Sequence, residues 1–200
     1  MVELPHAIVL TGGIATGKST TANLLKLYGF HVLDADEIAH EVLDAQSDQI
    51  AKLFGEQYVE DGKVLRKELG ALIFGNSQER KRLEHLLHPR IKEEITHLAK
   101  AQERFKVPYF IDIPLFYETK NYNLSPVVVV YAPKELQLER LIRREGLPFP
   151  EAKRRIELQL DIEQKRQMAD FVIDNSLDLK HLQNEVEDFV QTVKDRYAVG

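Results

Sequence analysis

Residues 7–28 read Ala-Ile-Val-Leu-Thr-Gly-Gly-Ile-Ala-Thr-Gly-Lys-Ser-Thr-Thr-Ala-Asn-Leu-Leu-Lys-Leu-Tyr. Inside this stretch, Gly12 to Ser19 follow the pattern G-x-x-x-x-G-K-[ST], in which each residue type has a separate job. The glycines let backbone N–H groups close around phosphate oxygens, Lys18 reaches the β- and γ-phosphates, and the Ser19 hydroxyl holds Mg²⁺. Gly13, Ala15, Thr16, Gly17 and Thr20 complete the set of candidate nucleotide contacts. The flanks agree with this reading. Ala7 to Thr11 is a nearly continuous apolar run, as expected of a parallel strand covered on both faces. Thr20 to Tyr28 places Ala22, Leu25 and Tyr28 at helical spacing, and Gly29 is a stop signal. Phosphates would therefore meet a helix N-terminus, where unpaired N–H groups and the dipole favour anions.

Four further short strands are expected, at His31 to Asp34, Tyr109 to Ile113, Val127 to Tyr131 and Phe171 to Asp174, with helical patterns between them. Alternation of this kind implies an α/β fold: a five-stranded parallel sheet with right-handed crossovers, helices on both faces and ligands beyond the carboxyl ends of the strands. Residues 37–106 are too many for one crossover helix, and they contain helical patterns at Arg80 to Leu87 and Ile91 to Ala101. They read as an inserted helical subdomain. Residues 134–166 carry nine cations against seven carboxylates, a local balance of +2 in a chain of net charge −5. That segment reads either as a helix pair with ordinary solvated ion pairs, such as Glu151/Arg155, or as a lid whose arginines fold over phosphates. The core is then about 1–36, 107–133 and 167–200.

Two hundred residues with 44% hydrophobic content suit one compact domain with insertions. The acidic balance argues against a general nucleic-acid or membrane-surface binder. The chain has no cysteine, which excludes disulfides and thiolate metal sites. The N-terminus enters the first strand without a signal-like apolar core, and no run approaches the ~18 apolar residues of a membrane helix. A cytoplasmic protein, monomeric or weakly homo-oligomeric, is expected.

Asp34 and Asp36 end the second strand, and their carboxylates, two residues apart, share a side if the chain is extended. Either is a candidate general base on an alcohol. The structural alternatives are a helix cap for Asp36, at a helix beginning near Glu37, and a strand-end turn for Asp34. Asp112 closes the run Tyr109-Phe110-Ile111 and is a candidate to orient Mg²⁺ directly or through water. His88-Pro89 falls between two helical patterns and reads either as a helix break or as a functional pair. His85 and His97 lack metal-ligand spacing.

In order, these landmarks resemble the dephospho-CoA kinase family over nearly the whole chain. The matching motifs are the phosphate loop, Asp34-Ala35-Asp36-Glu37-Ile38-Ala39, Leu87-His88-Pro89-Arg90-Ile91 and Asp112-Ile113-Pro114-Leu115-Phe116 with Glu118. Gln137-Leu138-Glu139-Arg140-Leu141, Arg155-Ile156 with Gln159, and Ala169-Asp170 with Ile173-Asp174-Asn175 complete the series. The resemblance implies a three-layer P-loop NTPase fold, with a helical coenzyme-binding insertion and a lid as in nucleoside monophosphate kinases. It implies MgATP as donor and the ribose 3′-hydroxyl of 3′-dephospho-CoA as acceptor. It also implies Asp36 as the base, Lys18, Arg140 and Arg144 on the transferred phosphoryl, and Asn175 near adenine. Asp34, His88 and Pro89 are implied on the acceptor side. The lid departs from the family's usual Arg-Asp with Arg144-Glu145-Gly146, and its next helix opens with prolines. Another small kinase of the same architecture is the nearest rival. A GTPase-like switch fits less well, because the chain lacks Asn-Lys-x-Asp and any Asp-x-x-Gly after the phosphate loop.

Overall fold

The computed structural model describes residues 3–198. Strand β1 (Ala7–Gly12) is buried at all six positions, which is why its sequence is an apolar run and not an alternation. It pairs in parallel with β5 (Tyr109–Asp112) on one side, Leu10 opposite Asp112, and with β6 (Val127–Tyr131) on the other, Gly12 opposite Val130. β2 (Val32–Asp34) lies outside β5, and β7 (Phe171–Asp174) pairs in parallel outside β6. The five strands match the sequence expectation to within two residues at each end.

Alternate strand residues divide between the two faces of the sheet. Ile8, Leu10, Phe110, Val128, Val130 and Ile173 pack against α1 (Lys18–Leu27) and α10 (Leu179–Tyr197). α10 contributes Leu182, Val186, Phe189, Val190 and Val193, a stripe at helical spacing, and starts at Asp178, whose carboxylate accepts the His181 N–H. Phe110 is the centre of this layer. It meets Phe30 edge-on at 5.4 Å between centroids and Phe189 at 6.0 Å. On the other face, Val129 and Tyr131 pack with Ile162.

The chain folds as two compact units: residues up to Leu33 together with those from Ala99 onward, and Asp34–Leu98. In the second unit, α2 (Ala35–Ala45) and α3 (Ser47–Phe54) precede a hairpin of β3 (Val59–Glu60) and β4 (Lys63–Val64). The hairpin was not expected from the sequence. Its turn is Asp61-Gly62, with both residues at positive φ, the conformation such a tight connection needs. α4 (Arg66–Gly75) and α5 (Ser77–Glu103) follow. α5 corrects the expected break at His88-Pro89, because the helix runs through Pro89. Proline removes one backbone donor there. The Arg90 guanidinium donates to the Leu86 carbonyl at 2.7 Å, supplying a donor within the disturbed turn.

In the first unit, α6 (Phe116–Thr119) follows β5, and α7 (Lys134–Glu145), α8 (Phe149–Glu157) and α9 (Ile162–Met168) lie between β6 and β7. Three helices therefore stand where a pair was expected. Gly146, at φ 66°, ends α7, and the Asp161 carboxylate caps α9. Among the described residues no helix is long and apolar enough to cross a membrane.

Phe110→Ala is expected to lower the unfolding free energy by about 3–5 kcal/mol, because it removes a fully buried ring from the centre of the sheet–helix layer. Urea denaturation at unchanged m-value checks it, and a loss below about 1 kcal/mol would contradict this packing.

Candidate active site

The segment from Gly12 to Gly17 is a tight backbone turn stabilised from within. The Thr16 N–H and hydroxyl both point back to the Gly13 carbonyl, at 3.3 and 2.9 Å, and Thr16 is fully buried. Its side chain therefore shapes the loop from inside. Ala15 sits at φ 58°, a conformation that costs free energy in any residue with a Cβ and is held here by the surrounding bonds. Gly17 sits at φ 94°, and a Cβ there would fall 2.1 Å from Asn175 Nδ2. Asn175 is buried directly after β7, and its amide donates to the Thr16 carbonyl at 2.7 Å. Position 17 thus accepts only glycine, for both backbone and steric reasons.

Thr21 makes the first intrahelical bond of α1, to the Gly17 carbonyl at 3.0 Å, so the N–H groups of Lys18, Ser19 and Thr20 precede the helical ladder. No side chain caps this end, and its first turn carries no acidic residue. An anion is the natural complement to such a terminus. Ser19 and Thr20 are exposed beside it.

Lys18 Nζ lies 2.5 Å from Asp112 Oδ1. Asp112 is 3% exposed, at the end of β5, so its charge is compensated by the loop lysine. Among the described residues no three His, Cys, Asp or Glu side chains group to hold a metal ion.

The structure separates the two candidate bases. α2 begins at Ala35, two residues earlier than expected, and its cap is Asp34, not Asp36. The Asp34 carboxylate accepts the N–H groups of Asp36 and Glu37 at 2.9 and 3.1 Å. Asp36 stands in the first turn, exposed, with no side-chain hydrogen bond among the described residues. Both belong to the second unit, as do His88 and Pro89, which are exposed on α5. Pro89 lines an open cleft of about 730 Å³ with Lys81, Arg82, His85 and Arg90; His88 does not line it.

The arginines differ in their surroundings. Arg140 is half-buried, its Nη1 has no hydrogen-bond partner among the described residues, and its Nη2 reaches the Leu177 carbonyl at 3.4 Å. Burial, and then the charge of Arg143, pull its guanidinium below its usual pKa. It is a cation with less compensation than solvent would give. Arg144 is exposed and bonded to Glu145 at 2.6 Å, and the second Glu145 oxygen holds Arg155 at 2.7 Å. The bond from Arg144, with the charges of both arginines, keeps the Glu145 carboxyl below the ordinary glutamate range. Glu145 thus ties the end of α7 to α8.

Sequence reasoning gave no role to Gln137, Gln159 or Lys165. Gln159 Oε1 accepts the Ile14 N–H of the loop at 2.8 Å, and buried Gln137 donates to the Ala132 carbonyl at 2.8 Å. Lys165 is fully buried on the Ile162 side of α9. A lysine three residues after an apolar anchor was the available signal.

A parallel sheet with this loop between its central strand and first helix defines a P-loop kinase fold. It is shared with shikimate kinase from Acinetobacter baumannii (TM-score 0.54, 19% identity, 96% of this chain and 94% of that one). The dephospho-CoA kinase family model matches residues 6–181, and the chain belongs to that family. The dephospho-CoA kinase of Sulfurimonas denitrificans is 53% identical over 192 residues, 96% of each chain. The solved dephospho-CoA kinase from Campylobacter jejuni is 34% identical with a TM-score of 0.74, covering 96% of this chain and 98% of that one.

Lys18→Ala is expected to cut turnover by at least ~10²-fold, since it removes the charge that follows the phosphates. It is also expected to lower the melting temperature, because Asp112 is left buried without its cation. ADP release and a thermal melt check the two effects separately.

Proposed function

We propose that this chain transfers the γ-phosphoryl group of ATP to the ribose 3′-hydroxyl of 3′-dephospho-CoA, giving coenzyme A and ADP, with Asp36 as general base. The observation that carries the assignment of the base is the division of labour at the start of α2. Asp34 is engaged in two backbone hydrogen bonds, and Asp36 has a carboxylate open to an incoming hydroxyl. Asp36 accepts the hydroxyl proton as the ribose oxygen attacks the γ-phosphorus, and the bond to the ADP oxygen breaks. Lys18 and the α7 arginines Arg140 and Arg144 offset the charge spread over the equatorial oxygens. Loop N–H groups and the α1 terminus hold the remaining phosphates, and Asn175 braces the loop on the adenine side. Ser19 and Asp112 would hold Mg²⁺ arriving with ATP, which neutralises phosphate oxygens.

His88 and Pro89 are assigned to the acceptor side, where the cations of the Pro89 cleft suit the acceptor's phosphates. The cationic helices α7–α9 close as a lid that keeps water from the phosphoryl group. The protein works in the cytoplasm, as a monomer or weak homo-oligomer.

Given MgATP, the protein should release ADP with 3′-dephospho-CoA and not with simple nucleoside monophosphates; no turnover of dephospho-CoA would sink the reading. Asp36→Asn should lower kcat by roughly 10²–10⁴-fold with nucleotide binding preserved. Asp34→Asn keeps a good cap and should have a small effect, whereas Asp34→Ala should cost about 1 kcal/mol of stability. A larger rate loss in Asp34→Asn than in Asp36→Asn would exchange the two roles.

Arg144→Ala should lower kcat more than it raises the acceptor KM, because its charge matters most as the transition state develops. A change in acceptor KM alone would remove Arg144 from the catalytic set.

A further inference from the structure

Lys165 is the one lysine or arginine buried from solvent among the described residues. Its Nζ donates to the Gly12 carbonyl at 2.8 Å and lies 2.6 Å from Glu118 Oε1, which also accepts the Leu160 N–H at 3.0 Å. Glu118 Oε2 is buried with no hydrogen-bond partner among the described residues. Gln159, which directly precedes Leu160, accepts the Ile14 N–H. The α8–α9 connection and α9 therefore hold the phosphate loop at two backbone atoms, one on each side of Gly13.

The peptide bond is planar and trans, so the Gly12 carbonyl and the Gly13 N–H point in opposite directions from one rigid plate. The plate between Ile14 and Gly13 is pinned at both edges, by Gln159 on the N–H and Thr16 on the carbonyl. The Gly12–Gly13 plate is flanked by two residues without side chains, for which rotation is least restricted. Lys165 is the side chain that holds its carbonyl edge. A buried ion pair is weak evidence for a stabilising role, since apolar replacements of such pairs are often no less stable. Placing one on this carbonyl has a geometric effect that an apolar pair would lack.

We infer that Lys165 is a positioning residue of the phosphate loop: by fixing the Gly12–Gly13 peptide plane it aims the Gly13 N–H at the nucleotide phosphates, with Glu118 holding Lys165 in place. This rests on the reading of the loop as the ATP phosphate site. It goes beyond that reading by making a residue 153 positions away in sequence part of the loop's geometry.

The test compares Lys165→Met, Lys165→Arg and the double variant Lys165→Met/Glu118→Gln. The readouts are mant-ADP affinity with Mg²⁺, KM for each substrate, and melting temperature. Lys165→Met should weaken mant-ADP binding and raise the ATP KM by about tenfold, leaving the dephospho-CoA KM unchanged. Lys165→Arg should hold the affinity within about threefold of the parent, since it keeps a donor for the same carbonyl. The double variant leaves no unpaired buried charge, so its melting temperature should recover while its affinity stays low. A double variant that binds mant-ADP like the parent overturns the inference and leaves the pair a packing device; it also carries the test if Lys165→Met does not fold. Failure of the parent itself to bind mant-ADP would overturn the loop reading, and this inference with it.

Discussion

Backbone N–H groups at the start of α1 lie at the end of a strand with no exposed face, and no side chain caps them. Leaving these donors uncapped is unfavourable for the empty protein and favourable when phosphate arrives. Much of the first unit serves to keep that arrangement from relaxing. Thr16 closes the loop from inside, Asn175 braces it from β7, and Gln159 holds it from the α8–α9 side. The sheet register places β5 and β6 on either side of the strand that delivers it.

The charges of the first unit follow a common logic. Lys18 rests on Asp112, Arg144 on Glu145 and Lys165 on Glu118, so these cations have local partners before any substrate binds. Arg140 is the least compensated, with a buried nitrogen that no protein group receives among the described residues. Pairing keeps the cations oriented at low electrostatic cost. An anion carrying more charge than one carboxylate can compete for Lys18, which is not sealed from solvent.

The core was legible because its signals are local. A nearly continuous apolar run, a glycine-rich turn and a short helix specify β1, the loop and α1 from one stretch of sequence, and the later strands are short apolar runs, three of the four ending in aspartate. Asp34 and Asp36 were legible as a pair and not as individuals. A cap is decided by where the helix begins, and a shift of two residues exchanges the engaged carboxylate for the open one. Pro89 misled because the rule against helix before proline is a preference, which the rest of α5 outweighs. The roles of Gln159 and Lys165 depend on contacts between residues more than 140 positions apart, and a local pattern marks at most the face on which Lys165 lies, not what it touches.

The central position of β1 also shapes how the protein is made. Its partners at Tyr109 and Val127 are about a hundred residues downstream of Ala7 and Val9, so the strand leaves the ribosome long before either neighbour exists. The intervening Asp34–Leu98 unit is built from helices and a tight hairpin, contacts close in sequence that form quickly. A strand buried at all six positions must therefore wait, unpaired, through the synthesis of a whole unit. During that interval its exposed edges are the point at which the nascent chain is most open to aggregation and most in need of a chaperone.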